Sequence, residues 1–264
     1  MKAQRIRHYT FDSIIGSNAS FLHTIARAKM ASKNSAPVLI QGETGTGKEL
    51  IAQSIHYGGE RQKEPFLAQN CAALPYGLVE GILFGTREGG FTGAIDRKGI
   101  FEQANYGTLL LDEINALPYD LQGRLLRVLQ EDYVRPVGGT YDIPVDVRII
   151  ATLNEEPEYL IRKGRLRKDL FYRLNVIPIR VPPLRERKED ILPLAEAFIK
   201  KYNDKYHKAV KGISKDGLQD LMEYDYPGNI RELENLIMSA ISMSEETDVL
   251  TSADLCISKT FPGC

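Results

Sequence analysis

The chain has 264 residues, a formal net charge of −1 and 26% charged residues. This length suffices for one large or two modest domains with a sizeable core. The balanced charge gives no overall attraction to nucleic acid or anionic membranes. Because the sequence shows no signal peptide and no long apolar run, a cytoplasmic protein without a membrane span is expected.

An α/β domain is predicted over residues 11–183, after a linker over residues 1–10. A first helix is expected from about Phe21 to Lys33. Five apolar or β-rich runs then alternate with helical stretches: Val38–Gln41, Phe66–Asn70, Thr108–Leu111, Val147–Ala151 and Val176–Val181. Such runs, apolar on both faces, indicate a five-stranded parallel sheet between helices, with ligands at the carboxyl ends of the strands.

The first strand is followed by a phosphate-binding pattern, G-x-x-x-x-G-K. Its residues are Gly42, Glu43, Thr44, Gly45, Thr46, Gly47, Lys48 and Glu49. Glycines allow the backbone N–H groups to approach a phosphate, and the following helix adds partial positive charge. A chance turn is the alternative, but the flanking strand and helix favour a nucleotide site. Glu49 stands where Ser or Thr usually helps to hold magnesium, so another carboxylate must do so.

Two adjacent carboxylates, Asp112 and Glu113, end the third predicted strand. Next to a phosphate loop, the first suits Mg²⁺ and the second suits activation of the water that attacks the γ-phosphate. A surface acidic pair is the simpler alternative. Cys71, Cys256 and Cys264 lack paired spacing and neighbouring histidines, so they are predicted to be reduced thiols, with Cys71 buried.

A basic segment, residues 161–188, holds ten Arg and Lys residues and fits either a solvated face or a set of arginines that face a phosphate or a neighbouring subunit. A small all-helical domain is predicted next, over residues 184–256, with the start of a linker at 257–264. Its helices are expected at Ile191–Tyr206, Ser214–Glu223 and Asn229–Met243. Asn229 with Glu232 is interpreted as an N-cap with its capping-box partner.

Several motifs together resemble one family, the central AAA+ ATPase domain of sigma-54-dependent bacterial transcription activators. They are the phosphate loop, Asn70–Leu74, Leu83–Gly85, Phe91–Ala94, Leu111–Glu113, Leu125–Gln130, Arg173–Asn175, Pro182–Arg187 and Pro227–Asn235. The resemblance covers roughly residues 11 to 256. It implies an AAA+ P-loop NTPase fold with a helical lid, and ATP and Mg²⁺ as cofactors.

The resemblance also implies residue roles. The phosphate loop binds ATP, Asp112 serves the metal, and Glu113 serves the water. Asn70 is similar to the residue that hydrogen-bonds this glutamate, and Asn154 to a γ-phosphate sensor. Leu153 replaces the usual Thr of that sensor. Arg167 and Arg173 match arginine fingers that act in the neighbouring subunit's site, and Arg231 matches a second sensor in the lid.

A glycine-rich loop resembles the family's contact with sigma-54. The proposed partner-binding residues are Gly89, Gly90, Phe91, Thr92, Gly93 and Ala94. Without the family, this is a flexible hairpin whose Phe contacts its own core. Gly90 replaces the usual Ala and is expected to increase flexibility. A second loop, residues 131–140, is similar to the partner of this one.

The function that follows is an ATPase ring, expected to be a hexamer, that opens the closed promoter complex of sigma-54 RNA polymerase. An ATP-gated binding module with little turnover is an alternative, and another AAA+ remodeller, such as a chelatase or loader subunit, is a third. Sensory and DNA-binding domains are not recognised in the sequence. Contact with promoter or enhancer DNA is therefore expected through domains outside this fragment.

Overall fold

The computed structural model describes residues 9–90, 93, 95–244 and 248–257. Within them the α-helices are α1 (Ala19–Ala31), α2 (Lys48–Tyr57), α3 (Val79–Phe84), α4 (Ile100–Gln103), α5 (Tyr119–Glu131), α6 (Pro157–Arg162), α7 (Lys168–Leu174), α8 (Ile191–Tyr206), α9 (Lys215–Glu223), α10 (Asn229–Met243) and α11 (Ser252–Leu255). Short 3₁₀ turns cover Phe11–Ser13, Cys71–Ala73, Ile114–Ala116, Leu184–Glu186 and Lys188–Asp190. Among these described helices, none has both the length and the apolar character that a bilayer crossing needs.

The strands are β1 (Val38–Gln41), β2 (Phe66–Asn70), β3 (Thr108–Asp112), β4 (Tyr133–Val134), β5 (Ile143–Pro144), β6 (Arg148–Leu153), β7 (Ile177–Arg180), β8 (Gly212–Ile213) and β9 (Val249–Leu250). Five of them form one parallel sheet in the order β2-β3-β6-β1-β7. The remaining four form two small pairs, β4 with β5 and β8 with β9. The predicted five-stranded parallel sheet is therefore confirmed, with strand ends that differ by one or two residues.

The described residues form two compact units. The sheet unit comprises residues 9–13, 25–42 and 48–180, and the helical unit comprises 14–24, 43–47 and 181–257. Each has its own apolar core. In the sheet unit all six residues of β6 and the first four of β3 are buried, as expected for central strands covered on both faces.

The start of α10 differs from the prediction. Gly228, not Asn229, is the N-cap, and its N–H donates to the Glu232 carboxylate over 2.7 Å. Asn229 has a left-handed backbone with φ of 54°. Its side-chain oxygen accepts from the Leu184 N–H over 2.8 Å, so the amide is committed outside its own helix. Glu232 keeps its capping role, but it is the fourth residue after the observed N-cap, whereas the prediction made it the third.

Close backbone approach fixes the start of β3. A Cβ on Gly107 would lie 2.1 Å from the carbonyl oxygen of Pro65, which also accepts a 2.8 Å hydrogen bond from Thr108 N–H. The approach joins the beginnings of β2 and β3. A side chain at position 107 must therefore separate the two strands.

We expect Gly107→Ala to lower the free energy of unfolding of the sheet unit by about 1–3 kcal/mol, because the methyl group overpacks this contact. Urea denaturation followed by circular dichroism measures the change. Gly77→Ala is the matched control, since an added Cβ there meets nothing within 4 Å. Equal stability of the two variants would contradict the packing argument.

Candidate nucleotide and partner site

The phosphate loop follows β1 directly. Gly42 N–H donates to Leu153 O over 3.1 Å, and Lys48, the first residue of α2, places its Nζ 2.6 Å from Gly42 O. Gly45 and Gly47 have backbone φ angles of 81° and 96°, which residues other than glycine rarely adopt. This backbone is suited to an anion-binding nest at a helix N-terminus. Lys48 is largely buried, at 6% exposure.

Asp112 and Glu113 lie at the carboxyl end of β3. Glu113 adopts a left-handed conformation with φ of 53°, which ends the strand sharply. Thr152 of β6 links the pair: its hydroxyl donates to Asp112 Oδ1 over 2.6 Å and accepts from Glu113 N–H over 2.9 Å. The acidic pair is thus held by the neighbouring strand and is not a free surface pair.

Asn70 has a different partner from the one expected. Its Nδ2 donates to Asp112 Oδ2 over 3.2 Å, whereas a bond to Glu113 was predicted. The reason is register, because Asn70 and Asp112 are direct partners across the β2–β3 pair and their side chains share a face. The Asn70 oxygen accepts from Ala72 N–H and Ala73 N–H, which fixes the orientation of the amide.

The sequence motifs did not identify Thr152 as a residue of the site. The pairing of Leu111 with Ala151 brings the next residues of β3 and β6, Asp112 and Thr152, side by side. A hydroxyl directly after the apolar run Ile149–Ala151 was the available signal. Leu153, where the family usually has Thr, is fully buried in the core of the sheet unit. A hydroxyl therefore reaches the acidic pair from position 152 and not from 153.

Asn154 follows β6 at the same edge of the sheet. Its side-chain oxygen is buried and has no hydrogen-bond partner among the described residues. Buried polar atoms without partners are rare, and each needs an explanation such as a ligand or an ordered water. The atom fits the predicted role of Asn154 as a residue that contacts a bound group.

The donor set at this edge suits Mg²⁺ that is bound mainly through phosphates. No cluster of three or more His, Cys, Asp or Glu that could hold a metal occurs in the described part of the chain. Mg²⁺ commonly uses only one or two carboxylates together with substrate phosphates and waters, and Asp112 is such a carboxylate. The Glu49 carboxylate accepts instead from Gln53 Nε2 over 3.2 Å.

Cys71 lies just beyond Asn70 and is buried, as predicted. Burial, and next the negative charges of Asp112 and Glu113, raise the pKa of the thiol to about 12. The thiol therefore stays protonated at neutral pH, and it serves as a small apolar residue beneath the acidic pair.

Of the two predicted fingers, Arg167 is the N-cap of α7 and Arg173 lies in the last turn of that helix. Arg167 pairs with Asp169 through two contacts of 3.0 and 2.8 Å and lies over the Tyr119 ring at 5.1 Å. Arg173 donates to Leu129 O from Nε over 2.9 Å and from Nη2 over 2.5 Å. Neither contacts the acidic pair of its own chain. Arg173 instead lines a cavity of about 310 Å³ with Pro37 and Arg148, which mark the amino ends of β1 and β6.

Arg231 belongs to α10 in the helical unit. A Cβ on Gly45 would lie 3.2 Å from Arg231 Cβ, so the base of the Arg231 side chain lies next to Gly45 of the phosphate loop. Arg231 is exposed. The structure thus brings the predicted second sensor next to Gly45, and both residues belong to the helical unit.

The partner loop, which carries the proposed partner-binding residues 89–94, is anchored at its base. Thr86 pairs with Arg97 and also with Val137 of the second predicted loop, and Arg87 N–H donates to Val137 O over 2.9 Å. Phe91, Thr92 and Ala94 lie outside the described residues. Gly89 and Gly93 have φ of 83° and 82°.

Gly90 lies against Gly138 of the second loop. A Cβ on Gly90 would meet Gly138 Cα and Val137 O, each at 2.9 Å, and a Cβ on Gly138 would meet Gly90 Cα at 2.2 Å. Glycine at position 90 therefore has a spatial reason, in addition to the flexibility that the sequence predicts for it. The two loops approach each other through bare backbone.

We expect Gly90→Ala to push the two loops apart, because contacts under 3.0 Å must relax. Amide hydrogen exchange at Arg87 and Val137 should become about tenfold faster. Mass-spectrometric exchange measures this, with Gly77→Ala as a control in open space. Unchanged exchange at both amides would show that the loops accommodate the methyl group without separating.

The comparisons with known proteins agree with this geometry. A family described as "Sigma-54 interaction domain" matches residues 14–180, and one described as "AAA+ ATPase lid domain" matches residues 185–258. The transcriptional activator RocR of Bacillus subtilis (strain 168) is 56% identical over 247 residues, which are 94% of this chain and 54% of RocR. The regulatory protein AtoC of Escherichia coli (strain K12) is 49% identical over 221 residues, 83% of this chain and 48% of AtoC.

Solved structures give the same result. Crystal structures of NtrX from Brucella abortus in complex with ADP and with ATP each superpose with a TM-score of 0.85 at 33% identity, covering 92% of this chain and 55% and 56% of NtrX. The chain spans about half the length of the curated relatives it matches. The chain therefore belongs to the sigma-54 interaction domain family, with an AAA+ P-loop fold followed by an AAA+ ATPase lid domain.

Proposed function

We propose that this chain hydrolyses ATP and uses the cycle to remodel sigma-54 RNA polymerase from the closed to the open promoter complex, which activates transcription. The observation that carries the proposal is the acidic pair of Asp112 and Glu113, held by Thr152 and Asn70 at the carboxyl edge of the sheet where β1 leads into Lys48. Binding of ADP and ATP by the related NtrX supports a nucleotide as the ligand.

The chain's own residues divide the chemistry. Lys48 and the N–H groups of the phosphate loop neutralise phosphate charge. Glu113 orients the attacking water and accepts its proton, a role typically worth about 10²–10⁴ in rate. Asp112 would hold Mg²⁺, which, when bound, neutralises charge on the phosphate oxygens. Asn70 and Thr152 fix the Asp112 carboxylate, and Asn154 contacts the terminal phosphate.

The active site is completed by a neighbouring subunit in this proposal. Arg167 and Arg173 are engaged with Asp169 and Leu129 in their own chain and do not contact its acidic pair. A finger arginine spreads positive charge over the transferring phosphoryl group and typically contributes about 10³–10⁵ in rate. A head-to-tail ring, expected to be a hexamer, gives every site such a finger.

The sigma-54 contact is assigned to the loop of residues 89–94, which the second loop supports at its base. The family membership and the Gly90–Gly138 approach support this assignment. The chain spans about half the length of the relatives it matches. A bacterial cytoplasmic location, an upstream signal and binding of enhancer DNA are therefore proposals for the whole protein.

We expect two inactive variants to complement each other if the fingers act in trans. Glu113→Gln lacks the base and Arg173→Ala lacks the finger, so each alone loses ATPase activity. Mixed one to one in a ring, they should recover about a quarter of wild-type activity, since a quarter of random interfaces join an intact Glu113 to an intact Arg173. Phosphate release measures the rate.

The control is the double variant Glu113→Gln/Arg173→Ala, which restores neither single variant on mixing. Full activity of Arg173→Ala alone at every protein concentration would refute the finger. Wild-type protein that binds ATP tightly but releases negligible phosphate at any concentration would favour the alternative, an ATP-gated assembly module.

We expect Thr92→Ala to separate hydrolysis from remodelling. The variant should keep its ATPase rate within about twofold, because residue 92 belongs to the partner loop and not to the phosphate site, and it should lose capture of sigma-54. Pull-down with ADP and aluminium fluoride measures capture. Thr10→Ala, the same change at an exposed position, is the control. Absence of capture by wild-type protein would favour a different AAA+ remodeller.

A further inference from the structure

The carbonyl groups of residues 42–46, in the first part of the phosphate loop, are all engaged. Gly42 O accepts from Lys48 Nζ over 2.6 Å, and Glu43 O accepts from Thr46 Oγ1 over 2.8 Å. The next three accept from later residues of the helical unit, over 3.0 Å each: Thr44 O from Asn229 Nδ2, Gly45 O from Ile230 N–H, and Thr46 O from Arg187 Nη2. Five consecutive carbonyl oxygens are thus fixed, three of them by the helical unit.

This pattern determines what the loop offers to an anion. In a trans peptide the C=O and N–H groups point in opposite directions, so a carbonyl that is held on one side turns the N–H to the other. A phosphate is bound by N–H groups and repelled by carbonyl oxygens. Donors that fix the carbonyls of residues 44–46 therefore keep the loop in its anion-binding orientation.

Asn229 is the central donor. It is fully buried, and its left-handed backbone, φ 54°, is tolerated by Asn better than by most residues. Its oxygen accepts from Leu184 N–H, while its Nδ2 donates to Thr44 O and, over 3.2 Å, to Glu43 Oε2. One short amide thus joins residues 184 and 44 through opposite ends.

Two further features of the helical unit act on the same loop. Ile230 N–H belongs to the first turn of α10, where N–H groups lack partners within the helix, and it is used to hold Gly45 O. Arg185 forms a paired contact with the Glu43 carboxylate over 2.6 and 2.8 Å. This contact neutralises an acidic side chain that otherwise repels phosphate.

We propose that Asn229 is a positioning residue that orients the peptide groups of the phosphate loop, with Arg185 as the residue that neutralises Glu43. The inference rests on the proposed nucleotide-binding function and adds to it that the helical unit sets nucleotide affinity through the loop backbone. This action is separate from any direct contact between Arg231 and the nucleotide.

The decisive variant is Asn229→Asp. Asp has the same shape, tolerates the left-handed backbone and still accepts from Leu184 N–H, but it does not donate to Thr44 O. We expect ADP affinity, measured by calorimetry, to fall about tenfold or more. The KM for ATP should rise in parallel, while kcat at saturation changes less than about twofold. A purely structural lesion would lower kcat and the melting temperature instead.

Two controls separate charge from orientation. Adding Glu43→Gln to Asn229→Asp removes the repulsion between two carboxylates. If ADP binding stays weak in the double variant, the loss of affinity is due to the missing hydrogen bond to the Thr44 carbonyl. Asn235→Asp makes the same chemical change at an exposed position of α10 and should leave ADP affinity unchanged.

A second variant keeps the proposal testable if Asn229→Asp does not fold. Arg185→Gln changes a partly exposed side chain, and we expect weaker ADP binding that Glu43→Gln partly restores. Wild-type ADP affinity in a folded Asn229→Asp, or in Arg185→Gln, would overturn the inference while nucleotide binding itself stands. Failure of the wild-type protein to bind ADP would instead refute the proposed function.

Discussion

Parallel pairing of β3 with β2 on one side and β6 on the other determines where the polar side chains of the candidate site lie. Apart from Thr108 and Arg148 at the amino ends of β3 and β6, the polar side chains of these three strands lie in the last two positions. Register then selects partners: Asn70 and Thr152 flank Asp112 from opposite sides and occupy one carboxylate oxygen each. A slip of one residue in either pair would turn these side chains to the other face.

The five parallel strands and the position of the acidic pair were predictable, because they depend on apolar runs and on a short motif at the carboxyl end of one strand. Individual contacts were not. The family resemblance implies a bond from Asn70 to Glu113, and the sequence cannot show which of the two adjacent acids shares a face with Asn70. Thr152 was missed because its hydroxyl shows only that a polar group ends an apolar run, and not that Asp112 lies beside it. The local sequence predicts Asn229 as an N-cap. It does not show the left-handed backbone of Asn229, which depends on contacts with residues distant in sequence.

Glycine has two distinct uses in the described chain. In the phosphate loop, Gly45 and Gly47 supply positive φ angles that allow N–H groups to point toward an anion. At Gly90 and Gly138 the need is space, because two backbones meet where side chains do not fit. The first kind is visible in a motif. The second becomes visible only when loops some 50 residues apart are placed together, as their contact shows.

The protonated state of Cys71 has a consequence for chemical labelling and for oxidative stress. Oxidants and alkylating reagents attack the thiolate, and Cys71 is buried and neutral at the base of the acidic pair. The acidic edge of the sheet therefore carries a sulfur atom that peroxide does not readily modify. Of the two cysteines in the described residues, Cys256 is exposed, so a fluorophore can be attached to the helical unit without first removing Cys71.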